Sequence, residues 1–211
     1  MRHPHVPSQP IELAVDFDGR PCRLTLRPIR PDDAPRLAAL FGRMSPAARR
    51  QRFHCATRGP SAAVLQAMSC VDFEHDSAWV VSQWDGEDEA LVGEARWHLD
   101  AHNPAGDSAE FAIAVADSLH HQGVGRRLMR ALEEDASAHG VRCLYGDVLS
   151  GNAAMLALMQ RCDYVLDGDD ERACGESVRV ERRLAPPASS SMAWAVWRRA
   201  WVGMRHRFTW A

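Results

Sequence analysis

Apolar and polar positions alternate with two different periods along this chain, and the changes of period mark its elements. Residues 11–17 and 22–27 alternate with a period of two on either side of Asp18-Gly19, which predicts a β-hairpin. After Pro28 and Pro31, Leu37, Leu40 and Phe41 recur at helical spacing, with Asp32 or Asp33 placed to cap the helix. Ser45-Pro46 opens a second short helix through Arg52, with Ser as N-cap and Pro in the first turn; residues 61–68 form a third. Strand patterns then return: 77–84, a turn over 85–88, 90–99, a turn over 103–107, and the most apolar strand, 109–116. Residues 125–139 carry Leu128, Met129, Leu132 and Ala136 on one helical face and end at Gly140, a suitable C-cap. A strand over 142–149, a helix opened by Ser150-Gly151-Asn152, and strands over 164–166 and 177–184 complete the folded part. This order predicts an α/β (α+β) layer: a central, mixed, mostly antiparallel sheet of about seven strands flanked by helices.

Residues 1–9 form a loose lead-in, 10–185 one domain, and 186–211 a linker followed by a Trp- and Arg-rich helix. In that last segment Trp194, Trp197, Trp201, Met204 and Phe208 form one stripe, flanked by arginines. It has four Arg and no acid, against a net −7 elsewhere. Such a face suits a membrane headgroup layer, a partner protein or a second copy of the chain. Overall charge is −3, which gives no reason to expect nucleic acid as a partner. All 25 basic residues are Arg, so no lysine amine is available as a nucleophile. Six scattered cysteines form no C-x-x-C pair and no zinc-ligand spacing, so no metal is expected, and reduced thiols in a cytoplasmic protein are. The N-terminus has no apolar core of a signal peptide, and no run approaches the length of a membrane span.

The candidate chemistry lies in residues 109–130, AEFAIAVADSLHHQGVGRRLMR, where a strand meets a glycine-punctuated turn at a helix start. Small residues let backbone N–H groups approach an anion, and the helix start adds partial positive charge. The spacing matches neither the dinucleotide fingerprint nor a P-loop.

With the element order, H-H-Q-G-V-G-R-R-L-M resembles the acyl-CoA loop of the GNAT superfamily of N-acetyltransferases, Arg/Gln-x-x-Gly-x-Gly/Ala. His120 stands at the Arg/Gln position, followed by Gly123 and Gly125. The segments LRPIRPDDAPRLAALFGRMSPAARRQRF, AEFAIAVAD and GDVLSGNAAML are similar to the acetyltransferase domain of bacterial protein-lysine acetyltransferases, over roughly 11–184. The resemblance implies acetyl-CoA as co-substrate, with the pyrophosphate on the backbone of His120, His121, Gln122, Gly123, Val124, Gly125 and Arg126. It implies that Ile113, Ala114 and Val115 pair with the pantetheine arm and polarise the thioester, and that Asn152 contacts the cofactor. From its residue type alone, Asn152 equally caps its helix.

Glu110 is the candidate general base. A strand-end glutamate alone is more often solvated or paired with an arginine; the resemblance assigns it the base, and partial burial would raise its pKa for that task. Glu94 is the reserve and His98 a third candidate. The family's general acid, a tyrosine seven residues after the asparagine, is replaced here by Met159, which reads as core packing. Arginines 49, 50, 52 and 58 read as a solvated face or as contacts to an acidic substrate or the 3′-phosphate. The expected activity is N-acetylation of protein lysines. A small-molecule amine acceptor, or a non-catalytic acyl-CoA sensor or adaptor acting through the C-terminal helix, are the alternatives.

Overall fold

A computed structural model describes residues 11–17, 20–103, 105–167 and 176–186. The lead-in, the Asp18-Gly19 turn and the C-terminal helix expected within 186–211 lie outside or almost wholly outside these residues. Eight strands and five α-helices are present among the described residues. They run β1 (Ile11–Phe17), β2 (Arg20–Pro28), α1 (Ala34–Arg43), α2 (Pro46–Phe53), α3 (Ala62–Ser69), β3 (Asp76–Asp85), β4 (Asp88–Leu99), β5 (Ser108–Val115), α4 (Val124–Ala138), β6 (Cys143–Leu149), α5 (Ala153–Arg161), β7 (Val165–Asp167) and β8 (Ser177–Arg183).

The strands form one sheet in the order β1-β2-β3-β4-β5-β6-β8-β7. Every pairing is antiparallel except β5 with β6, the pair that α4 connects as a crossover. Alternation along the strands gives the sheet two apolar faces. One buries Trp97, Phe111, Leu128, Met129, Leu132 and Leu144 with α4 and α5. The other buries Leu37, Leu40, Phe41, Val80 and Leu91 with α1, α2 and α3. Trp97 Nε1 donates to Asp135 Oδ2 at 2.8 Å, so the buried indole also anchors α4 to β4.

Local signals set most helix ends. Ser45 and Ser61 cap α2 and α3 by accepting from Ala48 and Val64 N–H. Asp33 differs from the expectation: its carboxylate makes no cap bond to α1. It takes a two-pronged bond from Arg27, at 2.7 and 2.8 Å, and the Arg30 N–H at 2.8 Å. A buried guanidinium out-competes a helix start as partner for a buried carboxylate.

Candidate active site

The register of β5 makes the site. Its pairing with β4 is continuous from Leu99↔Ala109 to Gly93↔Val115. Its pairing with β6 stops after Ser108↔Cys143, Ala109↔Leu144 and Glu110↔Tyr145, while β6 stays paired to β8 along its full length. The two central strands therefore part just beyond Glu110. The fork opens into a cleft of about 1120 Å³, walled by β5, α2, the loop before α4, and the start of α5.

Antiparallel geometry decides which backbone groups enter the fork. Asp100 N–H donates to the Ser108 carbonyl at 2.9 Å, and Ala116 N–H to the Val92 carbonyl at 2.8 Å. Even-numbered residues of β5 thus bond to β4, and the N–H and C=O of Phe111, Ile113 and Val115 turn toward the open side. The main chain of Ala114 faces Glu94, although Ala114 lines the cleft. The Val115 carbonyl accepts from His120 Nε2 at 3.0 Å. Gly146 stands across the fork: a Cβ there would lie 3.0 Å from two Phe111 ring carbons and 3.2 Å from the Phe111 oxygen.

The loop that closes one end of the cleft depends on two glycines for different reasons. Gly123 (φ 78°), like His121 (φ 63°), is left-handed, and only glycine adopts that region without strain. Gly125 provides room: a Cβ would meet Leu158 Cδ2 at 3.0 Å, with Val115 and Ile113 methyls behind it. α4 begins at Val124 with no side-chain cap, and Arg127 N–H, bonding to the Gly123 carbonyl at 3.2 Å, belongs to its first closed turn. The N–H groups of Val124, Gly125 and Arg126 precede any intrahelical partner, an arrangement chemically suited to an anion. His120 N–H is engaged with the Asp117 carbonyl at 3.3 Å.

Most of the residues singled out in the sequence converge here. Glu110, Ile113, Ala114, Val115, His120, His121, Gly123, Gly125, Arg126 and Asn152 all line the cleft. Gln122 is exposed and Val124 buried in the core, and neither side chain lines it. Asn152 caps α5 through Oδ1, which accepts from Met155 N–H at 3.1 Å. Met159 is fully buried, as a packing residue is.

The Ala114 main chain, paired to β4, and the His120 N–H, held by Asp117, are not free for the cofactor as expected, and three further expectations change. Glu110 is exposed, so the partial burial proposed to tune it is absent. Glu94, the reserve base, is fully buried between Arg52 and Arg96 and bonded to both. Burial would raise its carboxyl, but the two guanidinium charges outweigh that and hold it below the ordinary range, which removes it as a proton acceptor near neutrality. The arginine run is not simply a solvated face. Arg49 bonds the carbonyls of Met44, Phe41 and Thr57, Arg50 reaches Glu176 at 3.2 Å, and Arg52 reaches Glu94 at 3.3 Å. Among these, only Arg52 lines the cleft. The sequence also left unnoticed that α2 is a cleft wall, through Ala47, Ala48, Gln51 and Phe53.

The family described as acetyltransferase (GNAT) domain matches residues 23–165. The chain belongs to the GNAT acetyltransferase family. It is 29% identical to acetyltransferase PA5475 of Pseudomonas aeruginosa, over 80% of this chain and 86% of that protein. It is 31% identical to acetyltransferase Pat of Mycolicibacterium smegmatis over 69% of this chain, and the match spans only 42% of that longer protein. Among solved structures, the GNAT domain of S. lividans PAT superposes with a TM-score of 0.69 at 25% identity, covering 82% of this chain and 97% of that one. A cAMP-binding acyltransferase from Mycobacterium smegmatis gives 0.54 at 26% identity, covering 84% of this chain and 48% of that one. The family uses acetyl-CoA as co-substrate. The uncapped α4 start suits its pyrophosphate, and the free edge of β5 suits its amide-bearing arm. No helix among the described residues is long and apolar enough to cross a membrane.

Proposed function

We propose that this protein transfers acetyl from acetyl-CoA to protein lysine side chains, with Glu110 as general base. The observation that carries the reading is the fork itself: β5 and β6 part at Glu110, and the same cleft ends on the uncapped start of α4. The likeness to the acetyltransferase Pat and to the GNAT domain of S. lividans PAT supports a protein acceptor.

In this mechanism the Val124–Arg126 N–H groups hold the pyrophosphate, and Phe111, Ile113 and Val115 hold the pantetheine amides along the open edge. Glu110 takes a proton from the lysine ammonium through a water molecule. The freed amine attacks the thioester carbonyl, whose oxyanion accepts a β5 N–H. The tetrahedral intermediate gives its second N–H proton to water as the C–S bond breaks, leaving amide and thiolate. Water reprotonates the thiolate, because the buried Met159 supplies no acid.

The decisive experiment is acetyl-CoA turnover against a panel of proteins, polyamines and amino acids, for the wild-type chain and Glu110→Gln. Turnover with lysine-bearing proteins that falls at least about a hundredfold in the variant, with acetyl-CoA affinity retained, is expected. Preference for free amines would reassign the acceptor. Unchanged turnover in Glu110→Gln would remove Glu110 from the chemistry.

A further inference from the structure

Following the register across the sheet brings four ionisable residues into one line. Asp76 on β3 lies opposite His98 on β4, His98 opposite Glu110 on β5, and Glu110 opposite Tyr145 on β6. Directly opposed residues project to the same face, with Cβ atoms about 5 Å apart. Glu110 and His98 are exposed and Asp76 is half-buried. Asp76 and His98 attract one another electrostatically. Asp76 is fixed from behind, because its Oδ1 accepts the Asp72 N–H at 2.7 Å, and Asp72 is itself held by the Glu74 and His75 N–H groups at 2.7 Å.

We propose that His98 is the proton relay for Glu110, receiving the proton that the carboxylate draws from the amine and releasing it to water, with Asp76 holding the imidazolium. This rests on the reading of Glu110 as base. A lysine arrives as an ammonium, so each turnover leaves Glu110 as a carboxylic acid that must be returned to carboxylate. On the β6 side, burial and the Asp100 carboxylate push the Tyr145 phenol up, and the Arg179 guanidinium lies 3.8 Å from its ring centroid; a neutral phenol there is a poor proton acceptor. On the β4 side stands an imidazole, the side chain that most readily both accepts and releases a proton.

Carboxylates face His98 from both neighbouring strands. Asp76 faces it from β3 and Glu110 from β5. Arg96, on the same face, is committed to Glu94 and the Met68 carbonyl. The transfer is balanced: through one water the ammonium N–H bond breaks as a Glu110 O–H forms, and through a second water that O–H breaks as an N–H forms on His98. The imidazolium then gives its proton to water, and no electron changes hands.

The test uses the full chain with a lysine peptide and acetyl-CoA. His98→Ala and His98→Gln should each lower kcat about tenfold, leave the KM for acetyl-CoA and the melting temperature unchanged, and only His98→Ala should regain rate with added imidazole. Wild-type kcat in His98→Ala, or a loss that imidazole does not restore, overturns the relay. Glu110→Gln is run beside them. An inactive Glu110→Gln with a fully active His98→Ala sinks the relay alone, whereas a fully active Glu110→Gln sinks the base and the relay together.

Discussion

Ser45 and Asp117 stand 72 positions apart and are joined twice: Ser45 N–H donates to Asp117 Oδ2 at 3.0 Å, and Ser45 Oγ donates to Oδ1 at 2.8 Å. Ser45 caps α2, a cleft wall with Ala48 as its buried residue, and Asp117 opens the single 3-10 turn that follows β5. This one carboxylate therefore ties the α2 wall of the cleft to the strand that leads into the α4 loop. Asp117→Ala should lower kcat/KM for the acceptor several-fold and leave acetyl-CoA affinity near wild type. Losing the exposed pair should cost about 1 kcal/mol, seen as a fall of about 2–4 °C in Tm. Burial would raise the Asp117 carboxyl, but the two Ser45 donors hold it below its ordinary value. The tie is thus complete above about pH 4 and is lost as pH falls through the lowered value.

Glu94 with Arg52 and Arg96 is a buried charge cluster directly behind Ala114. Glu94→Gln leaves two guanidinium groups facing a neutral amide and should destabilise the chain by about 3 kcal/mol in denaturant unfolding. Because the native carboxyl is held below its ordinary value, its contribution is present at neutral pH and disappears as pH drops through that value. The stability difference between wild type and Glu94→Gln should therefore narrow in acid. A constant difference down to pH 2 would count against the ion-pair account.

Gly125→Asp puts a Cβ 3.0 Å from Leu158 Cδ2 and a negative charge at the start of α4. Calorimetry should register at least a hundredfold weaker acetyl-CoA binding. Gly125→Ala brings the crowding without the charge. Leu158 can yield by rotating, so its loss should be under about tenfold. Equal effects of the two variants would mean that packing, not anion binding, makes the position important.

At Gly146 the obstacle is partly backbone, which cannot rotate away. Gly146→Ala should cost about 2 kcal/mol. Adding Phe111→Leu should recover only part of it, because the ring contact goes while the contact to the Phe111 oxygen remains. Full recovery in the double variant would assign the whole cost to the ring.

The succession of elements was legible because each boundary carries its own local chemistry: Ser45 and Ser61 as caps, Gly140 after α4, and the glycine loop between β5 and α4. The fork was not legible in the residues themselves, because it consists of β5–β6 pairing that stops after Tyr145, and no local pattern encodes a missing partner. Long-range ion pairs escaped for a similar reason. Arg52 and Glu94 are 42 positions apart, and Arg50 and Glu176 are 126 apart. Asp33 misled because an aspartate before a helix reads as a cap until Arg27 is brought beside it. The parity of β4 did hold a usable clue: Glu94, Arg96 and His98 fall on one face, which foreshadows both the buried cluster and the line through Glu110.

β5 divides its labour by odd and even positions. Its odd residues offer main-chain groups to the fork, while its even residues present Glu110, Ala112 and Ala114 as side chains on the opposite-facing wall beneath α2. A grip made of backbone is indifferent to side-chain identity, so on the proposed reading of the cleft substitutions at the even positions should alter acceptor choice without loosening the cofactor. The same strand can thus be inherited by enzymes of different acceptor preference, and directed evolution of a new acceptor should begin at Ala112 and Ala114.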